Sequence, residues 1–157
     1  MTHAYWGRLL EDELGLKVEQ PVSLPGFGQP IALYLGEEEP ADDSVPTPEQ
    51  LDAYAAAWQA FLAQAPTLLD ALKQQAFARY QDLYAAFYDD PAQSGEPPLH
   101  LASAEAHLAY MQEVAYLRLT ADQVVDMVIY YDLDPEHGLE AKFAAGQLVA
   151  IGGIAEI

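Results

Sequence analysis

The densest group of side chains capable of chemistry lies in the run from Asp132 to Glu140, which reads DLDPEHGLE. Asp134, Glu136 and His137 place two carboxylates and an imidazole within four residues, a set that general acid–base catalysis uses. Asp, Pro and Gly are also the residues that tight turns require on backbone grounds alone. Because the run falls between two strand patterns, we interpret it as a turn and an interaction surface. A small hydrolase or metal-dependent enzyme centred on Glu136 and His137 is the alternative.

The remaining histidines do not predict a metal site. His100 and His107 flank Glu105, but seven residues and a predicted helix start separate them. A zinc site on one helix face needs two histidines four residues apart. The chain has no cysteine, so a thiolate ligand, a disulfide and a thiol nucleophile are all excluded. No G-x-S-x-G run is present to supply an activated serine. We therefore expect no catalytic residue, no metal and no cofactor.

Two loops invite a ligand interpretation that their spacing does not favour. Gly26 and Gly28 lie in PVSLPGFGQP, but G-F-G is not G-x-G-x-x-G and no helix pattern follows. This loop is predicted to join two strands. The acidic loop from Gly36 to Pro46 lacks the alternating Asp spacing of a calcium loop. It is predicted to be solvated.

Charge is the extreme property of the sequence. Six Lys and Arg stand against 25 Asp and Glu, a formal net charge of −19, and no Lys or Arg occurs between Lys17 and Lys73. Binding to nucleic acid needs clustered cations, and so does attraction to an anionic membrane surface, so both are excluded as partners. The acidity either keeps the protein soluble or steers a basic partner protein. The candidate interaction surface comprises Glu37, Glu38, Glu39, Asp42, Asp43, Asp134, Glu136 and His137.

The localisation expected from the sequence is cytoplasmic. The first residues, MTHAYWGRLLEDELG, are charged and lack the apolar segment of a signal peptide. No apolar run approaches the roughly 20 residues that span a bilayer.

The elements that would position these side chains are strands at both ends of the chain. Residues 124–132, VVDMVIYYD, alternate between an apolar set at Val125, Met127, Ile129 and Tyr131 and a mixed set, as in a sheet covered on one side. The predicted strands are 4–11, 14–18, 30–35, 114–119, 124–132, 139–143, 148–151 and, after a bend at Gly152 and Gly153, 154–157.

The middle of the chain is predicted to be helical. Thr47, Pro48 and Gln50 form a strong start signal, with Thr as N-cap, Pro in the first turn and Gln three residues after the cap. Pro66 is expected to end this helix, and a second helix then runs from Thr67 to about Asp89. A Pro-rich loop at 91–102 precedes a short third helix at 104–112. These patterns predict a single α+β domain over 1–157, a mainly antiparallel sheet of N- and C-terminal strands with about three helices packed on one face.

The C-terminal pattern resembles the signature of a bacterial family of acidic α+β domains of unknown function. The resemblance rests on Tyr131-Asp-Leu-Asp-Pro-Glu-His-Gly138 followed by Phe143, Gly146, Leu148-Val149 and Ile151-Gly152, and in outline it covers nearly the whole chain. Some members of that family resemble immunity proteins of bacterial toxin systems. The resemblance implies a small binding protein, and we expect a non-enzymatic interaction module whose partner is a basic protein such as a toxin.

Overall fold

The computed structural model describes residues 1–38 and 45–157. Within these ranges the strands form one eight-stranded sheet. Its strands are β1 (Thr2–His3), β2 (Gly7–Asp12), β3 (Gly15–Val18), β4 (Leu33–Leu35), β5 (Glu113–Leu119), β6 (Val125–Tyr130), β7 (Leu139–Ala144) and β8 (Gln147–Gly152). The helices are α1 (Pro48–Leu83), α2 (Ala85–Tyr88), α3 (Pro91–Ser94) and α4 (Ala104–Leu108), and a 3₁₀ turn follows at Ala109–Met111.

The sheet order follows the chain from β1 to β8. Every neighbouring pair is antiparallel except β4 and β5, which are parallel and pair Leu33 with Leu117 and Leu35 with Leu119. A parallel pair needs a long crossover connection, and the helical segment between β4 and β5 supplies it.

The predicted fold class is confirmed in its main terms: the protein is α+β and its sheet is mostly antiparallel. The strands are not confined to the two ends of the chain. In addition, β4 and β5 pair in parallel at the middle of the sheet, which makes the sheet mixed. The predicted final strand at 154–157 is wrong. The chain bends at Gly153 and turns at Ile154 and Ala155, where Ala155 has a φ of +63°, and the Ile154 amide bonds the His137 carbonyl, at 2.8 Å, instead of continuing a strand ladder.

The core lies between α1 and one face of the sheet. The predicted apolar side of β6 is confirmed, because Val125, Met127 and Ile129 are buried. Trp58 and Phe61 from α1 are buried as well, and the Phe61 ring packs edge-on against another sheet residue, Phe143. The capping box at the start of α1 is also confirmed, with Thr47 bonding the Gln50 amide and the Gln50 side chain bonding the Thr47 amide.

Pro66 does not end a helix, so the prediction of two helices divided at this residue is wrong. α1 continues through it to Leu83. A proline inside a helix costs about 3 kcal/mol because it removes one hydrogen bond and crowds the preceding turn. Here Pro66 and Leu62, whose carbonyl loses its donor, lie on the exposed side, where water can bond that carbonyl. Burial of Phe61, Ala65 and Leu68 on the other side outweighs the local preference.

The segment after α1 differs from its prediction in detail. The helix is interrupted at Tyr84, and α2 ends just before Asp89. The predicted Pro-rich loop begins with the single helical turn α3, which the Asp90 side chain caps and the left-handed Gly95 ends. No helix within the described ranges has the length and apolarity required to cross a membrane.

Candidate functional site

The candidate interaction residues fall into two groups at opposite ends of β6. A carboxylate oxygen of Glu37 lies 3.4 Å from the Ala121 amide, just before β6 begins, whereas Asp134 and His137 follow its far end. β6 has six residues, and a strand rises about 3.3 Å per residue, so the two groups lie roughly 20 Å apart. The two groups therefore do not form one patch. Three further candidates, Glu39, Asp42 and Asp43, lie outside the described residues.

Asp134 organises the turn at the far end of β6. Its carboxylate accepts a hydrogen bond from the His137 amide at 3.1 Å and lies 3.0 Å from His137 Nδ1, while Tyr84 donates its hydroxyl to it at 2.7 Å. Partial burial raises the pKa of Asp134, but the bonds from Tyr84 and His137 outweigh that effect and leave the pKa below its ordinary value. Conversely, the hydrogen bond with Asp134, then its charge, raises the pKa of His137.

The same geometry shows what the turn can do chemically. An imidazole held by a carboxylate is the orienting pair of a general base. The His137 side chain is, however, half exposed, and it does not line either of two clefts on the described surface, one beside α1 and one beside Ile31. Nor do the described residues hold any group of three or more His, Cys, Asp or Glu that could bind a metal ion. The hydrogen bonds of Asp134 instead fix a turn.

We expect the His137–Asp134 contact to make stability depend on pH. Because folding raises the pKa of His137, the contact adds its full contribution to the free energy of unfolding at pH values below the pKa of an unfolded histidine, about 6.5. That contribution disappears as pH rises through the raised folded pKa. His137→Ala should therefore lower the melting temperature more at about pH 5.5 than at about pH 9. His137→Gln, which keeps a donor but does not titrate, is the control, and a pH-independent loss in the alanine variant would contradict this expectation.

The other end of β6 carries exposed carboxylates. Glu37 and Glu38 are both exposed, and burial followed by the charges of Glu37 and Asp122 raises the pKa of Tyr54 on α1. The carboxylates of Glu37 and Asp122 therefore lie near Tyr54, in the second turn of α1. No Lys or Arg among the described residues forms a salt bridge with Glu37, Glu38 or Asp122.

The six Lys and Arg side chains contact groups other than these three carboxylates, and Arg118 comes nearest to them because it bonds the carbonyl of Gly36, the residue before Glu37. Their contacts are Arg8 with Glu19, Lys17 with Asp12, Lys73 with Asp70 and Glu105, Arg79 with the Tyr84 hydroxyl, Arg118 with the carbonyls of Leu14 and Gly36, and Lys142 with the Ile157 carbonyl. The surface at Glu37, Glu38 and Asp122 consequently presents negative charge that no basic side chain pairs directly.

A buried polar cluster that no sequence motif indicates lies next to the Asp134 turn. His107 is almost fully buried, and its Nε2 lies 2.5 Å from the Tyr131 hydroxyl. Burial lowers the pKa of His107 to about 4, so the ring is neutral at pH 7. The Tyr80 ring packs 5.2 Å from the histidine. The alternation in 124–132 placed Tyr131 on the buried side, but no local pattern pairs it with His107.

A second buried polar group lies on the sheet face opposite α1. Asp126 and Glu140 are diagonal neighbours on β6 and β7. Burial, followed by the adjacent Glu140, raises the pKa of Asp126. Glu140 Oε2 accepts a hydrogen bond from the Ala155 amide at 2.7 Å, so the C-terminal turn lies against Glu140. Glu140 therefore anchors the chain end.

Comparison with protein families places the chain. The model of a family described as a domain of unknown function (DUF6985) matches residues 5–157. The protein belongs to this family, in agreement with the resemblance to a family of unknown function. Searches of the curated proteins and of the solved structures returned no match.

Proposed function

We propose that this member of the DUF6985 family is a non-enzymatic acidic binding module, active in the cytoplasm, whose partner is a basic protein. A toxin or effector that the module neutralises by covering its active site fits this role. One observation carries the proposal: Glu37, Glu38 and Asp122 are exposed, and no Lys or Arg among the described residues forms a salt bridge with any of them.

The physical role of such a surface is to accelerate encounter. Exposed charges act over roughly 8–10 Å at physiological salt, so they raise the association rate more than they lengthen the lifetime of a complex. A net charge of −19 extends that attraction over the whole molecule.

The proposal is tested by capture with matched baits. The wild-type chain, Glu37→Lys/Glu38→Lys and the control Asp82→Lys/Glu96→Lys are immobilised and exposed to a lysate of the source cells. The control changes the net charge equally at exposed positions in the last turn of α1 and in the loop after α3. We expect a basic protein to be retained by the wild type and the control, and lost or reduced several-fold with Glu37→Lys/Glu38→Lys. Retention of acidic proteins alone, or equal retention by all three baits, would contradict the proposal.

A second candidate, a small hydrolase centred on Glu136 and His137, has one observation in its favour. Asp134 holds the His137 ring and raises its pKa, as an orienting carboxylate does for a general base. The test is hydrolysis of ester and phosphoester substrates by the wild type and by His137→Gln. Activity that is lost in a folded His137→Gln variant would favour this candidate over the binding module.

A further inference from the structure

A cleft lies between α1 and the turn that joins β7 to β8, and the proposed function leaves it without a role. It has a volume of about 190 Å³. Phe61 and Leu68 from α1 and Val125 and Phe143 from the sheet contribute its apolar lining. A dry apolar cavity of about 150 Å³ accommodates benzene, so this cleft is large enough for one leucine or phenylalanine side chain.

Polar groups occur at two positions on the cleft wall. Gln64 and Gln123 line it, and both residues are exposed. Gln64 lies against Gly146, where a Cβ atom would come within 2.6 Å of the Gln64 oxygen. Apolar lining with a few amide groups is the usual composition of a site that takes a side chain together with the peptide groups beside it.

The cleft adjoins the acidic surface, and this contact decides what occupies it. Gln123 follows Asp122 directly, and the Ala121 amide in the same turn faces Glu37. Ala57 also lines the cleft, and it lies three residues after Tyr54. The charges of Glu37 and Asp122 contribute to the raised pKa of Tyr54, so these carboxylates lie near this part of α1. An apolar group in the cleft would therefore have carboxylates beside it, which complement flanking Lys or Arg.

We propose that the cleft between α1 and the β7–β8 turn is the anchor site of a basic partner and receives one leucine or phenylalanine side chain flanked by Lys or Arg. This inference rests on the proposed function and adds the contact that holds the partner once charge has brought it near. Buried apolar anchors dominate binding free energy and dissociation rates, whereas exposed charges dominate association rates. The two parts of the surface thus affect different rate constants.

The test uses two short polylysine peptides that differ at one central residue, Phe in one and Ala in the other. Their affinities for the full chain are measured by fluorescence anisotropy. Burial of most of one phenylalanine ring predicts that the Phe peptide binds about tenfold more tightly. Ala60→Trp places a large side chain in the cleft from an exposed position of α1, so it should remove this difference and leave the Ala peptide unaffected. Ala63→Trp, exposed on the same helix but outside the cleft lining, should keep it.

Side-chain amide resonances give a second readout that does not depend on a variant. The Phe peptide should shift the NH₂ signals of Gln64 and Gln123 in a ¹⁵N-labelled chain, and the Ala peptide should leave them in place. Salt-sensitive binding with equal affinity for the two peptides would overturn the anchor site while leaving the charged surface supported. Absence of binding by either peptide would overturn both, and a Phe preference that survives Ala60→Trp would place the anchor elsewhere.

Discussion

Gly138→Val is expected to lower the free energy of unfolding by about 2–5 kcal/mol. Gly138 has a φ of +65°, a left-handed conformation that costs a side-chain-bearing residue about 1–2 kcal/mol. A Cβ atom there would also lie 2.3 Å from the Ile154 Cδ1 atom and 3.1 Å from the Ile129 carbonyl oxygen. The Ile154 side chain would have to move aside, and overpacking of this kind costs about 1–3 kcal/mol.

Gly95→Val separates the cost of the left-handed backbone from the cost of the contact with Ile154. Gly95 has a similar φ of +74°, but nothing lies within 4 Å of a Cβ atom placed there. Gly95→Val should therefore lower the free energy of unfolding only by the cost of the left-handed backbone, about 1–2 kcal/mol. Urea denaturation of both variants measures the difference. His137→Ala at the neighbouring position should cost less than Gly138→Val, and equal losses in Gly138→Val and Gly95→Val would refute the contact with Ile154.

Deletion of residues 148–157 is expected to abolish cooperative unfolding. The deletion removes most of β8, so β7 becomes an unpaired edge strand with its backbone groups free. It also removes the amide that Glu140 binds, which leaves this carboxylate without its hydrogen bond to the chain end. Exposed apolar surface and an unpaired edge together favour aggregation.

A shorter deletion distinguishes the effect of losing β8 from the effect of losing the C-terminal turn. Removing residues 154–157 leaves β8 paired but removes the turn that contacts Gly138 and Glu140. This variant should stay folded with a lowered melting temperature, while the longer deletion should show no thermal transition and should aggregate. An unchanged melting curve in the longer deletion would contradict a structural role for the chain end.

Local patterns predicted the elements whose residues interact mainly with their neighbours in sequence. The alternation at Val125, Met127 and Ile129 identified the buried side of β6, and Thr47 with Gln50 located the start of α1. Each of these features depends on the backbone within a few residues, so its signal lies in the sequence itself.

Features set by distant contacts were not predictable in this way. Pro66 carries a local signal to end a helix, but the packing of α1 against the sheet overrides it. The Tyr84–Asp134 bond joins residues 50 positions apart, and His107–Tyr131 joins residues 24 apart. The sequence also does not indicate that the loop of Glu37 and Glu38 meets the end of β6 opposite to the Asp134 turn, because that placement depends on how distant strands pair.

The central claim is that exposed carboxylates beside β6 steer a basic partner, and the salt dependence of the association rate tests it most directly. The rate constants of the captured partner are measured between about 50 and 500 mM salt, a range over which screening changes strongly. We predict that the association rate of the wild type falls steeply with salt while its dissociation rate changes little. Glu37→Lys/Glu38→Lys should associate more slowly at low salt and show a flatter dependence. An association rate that does not respond to salt, or the same slope in the variant as in the wild type, would contradict steering by this surface.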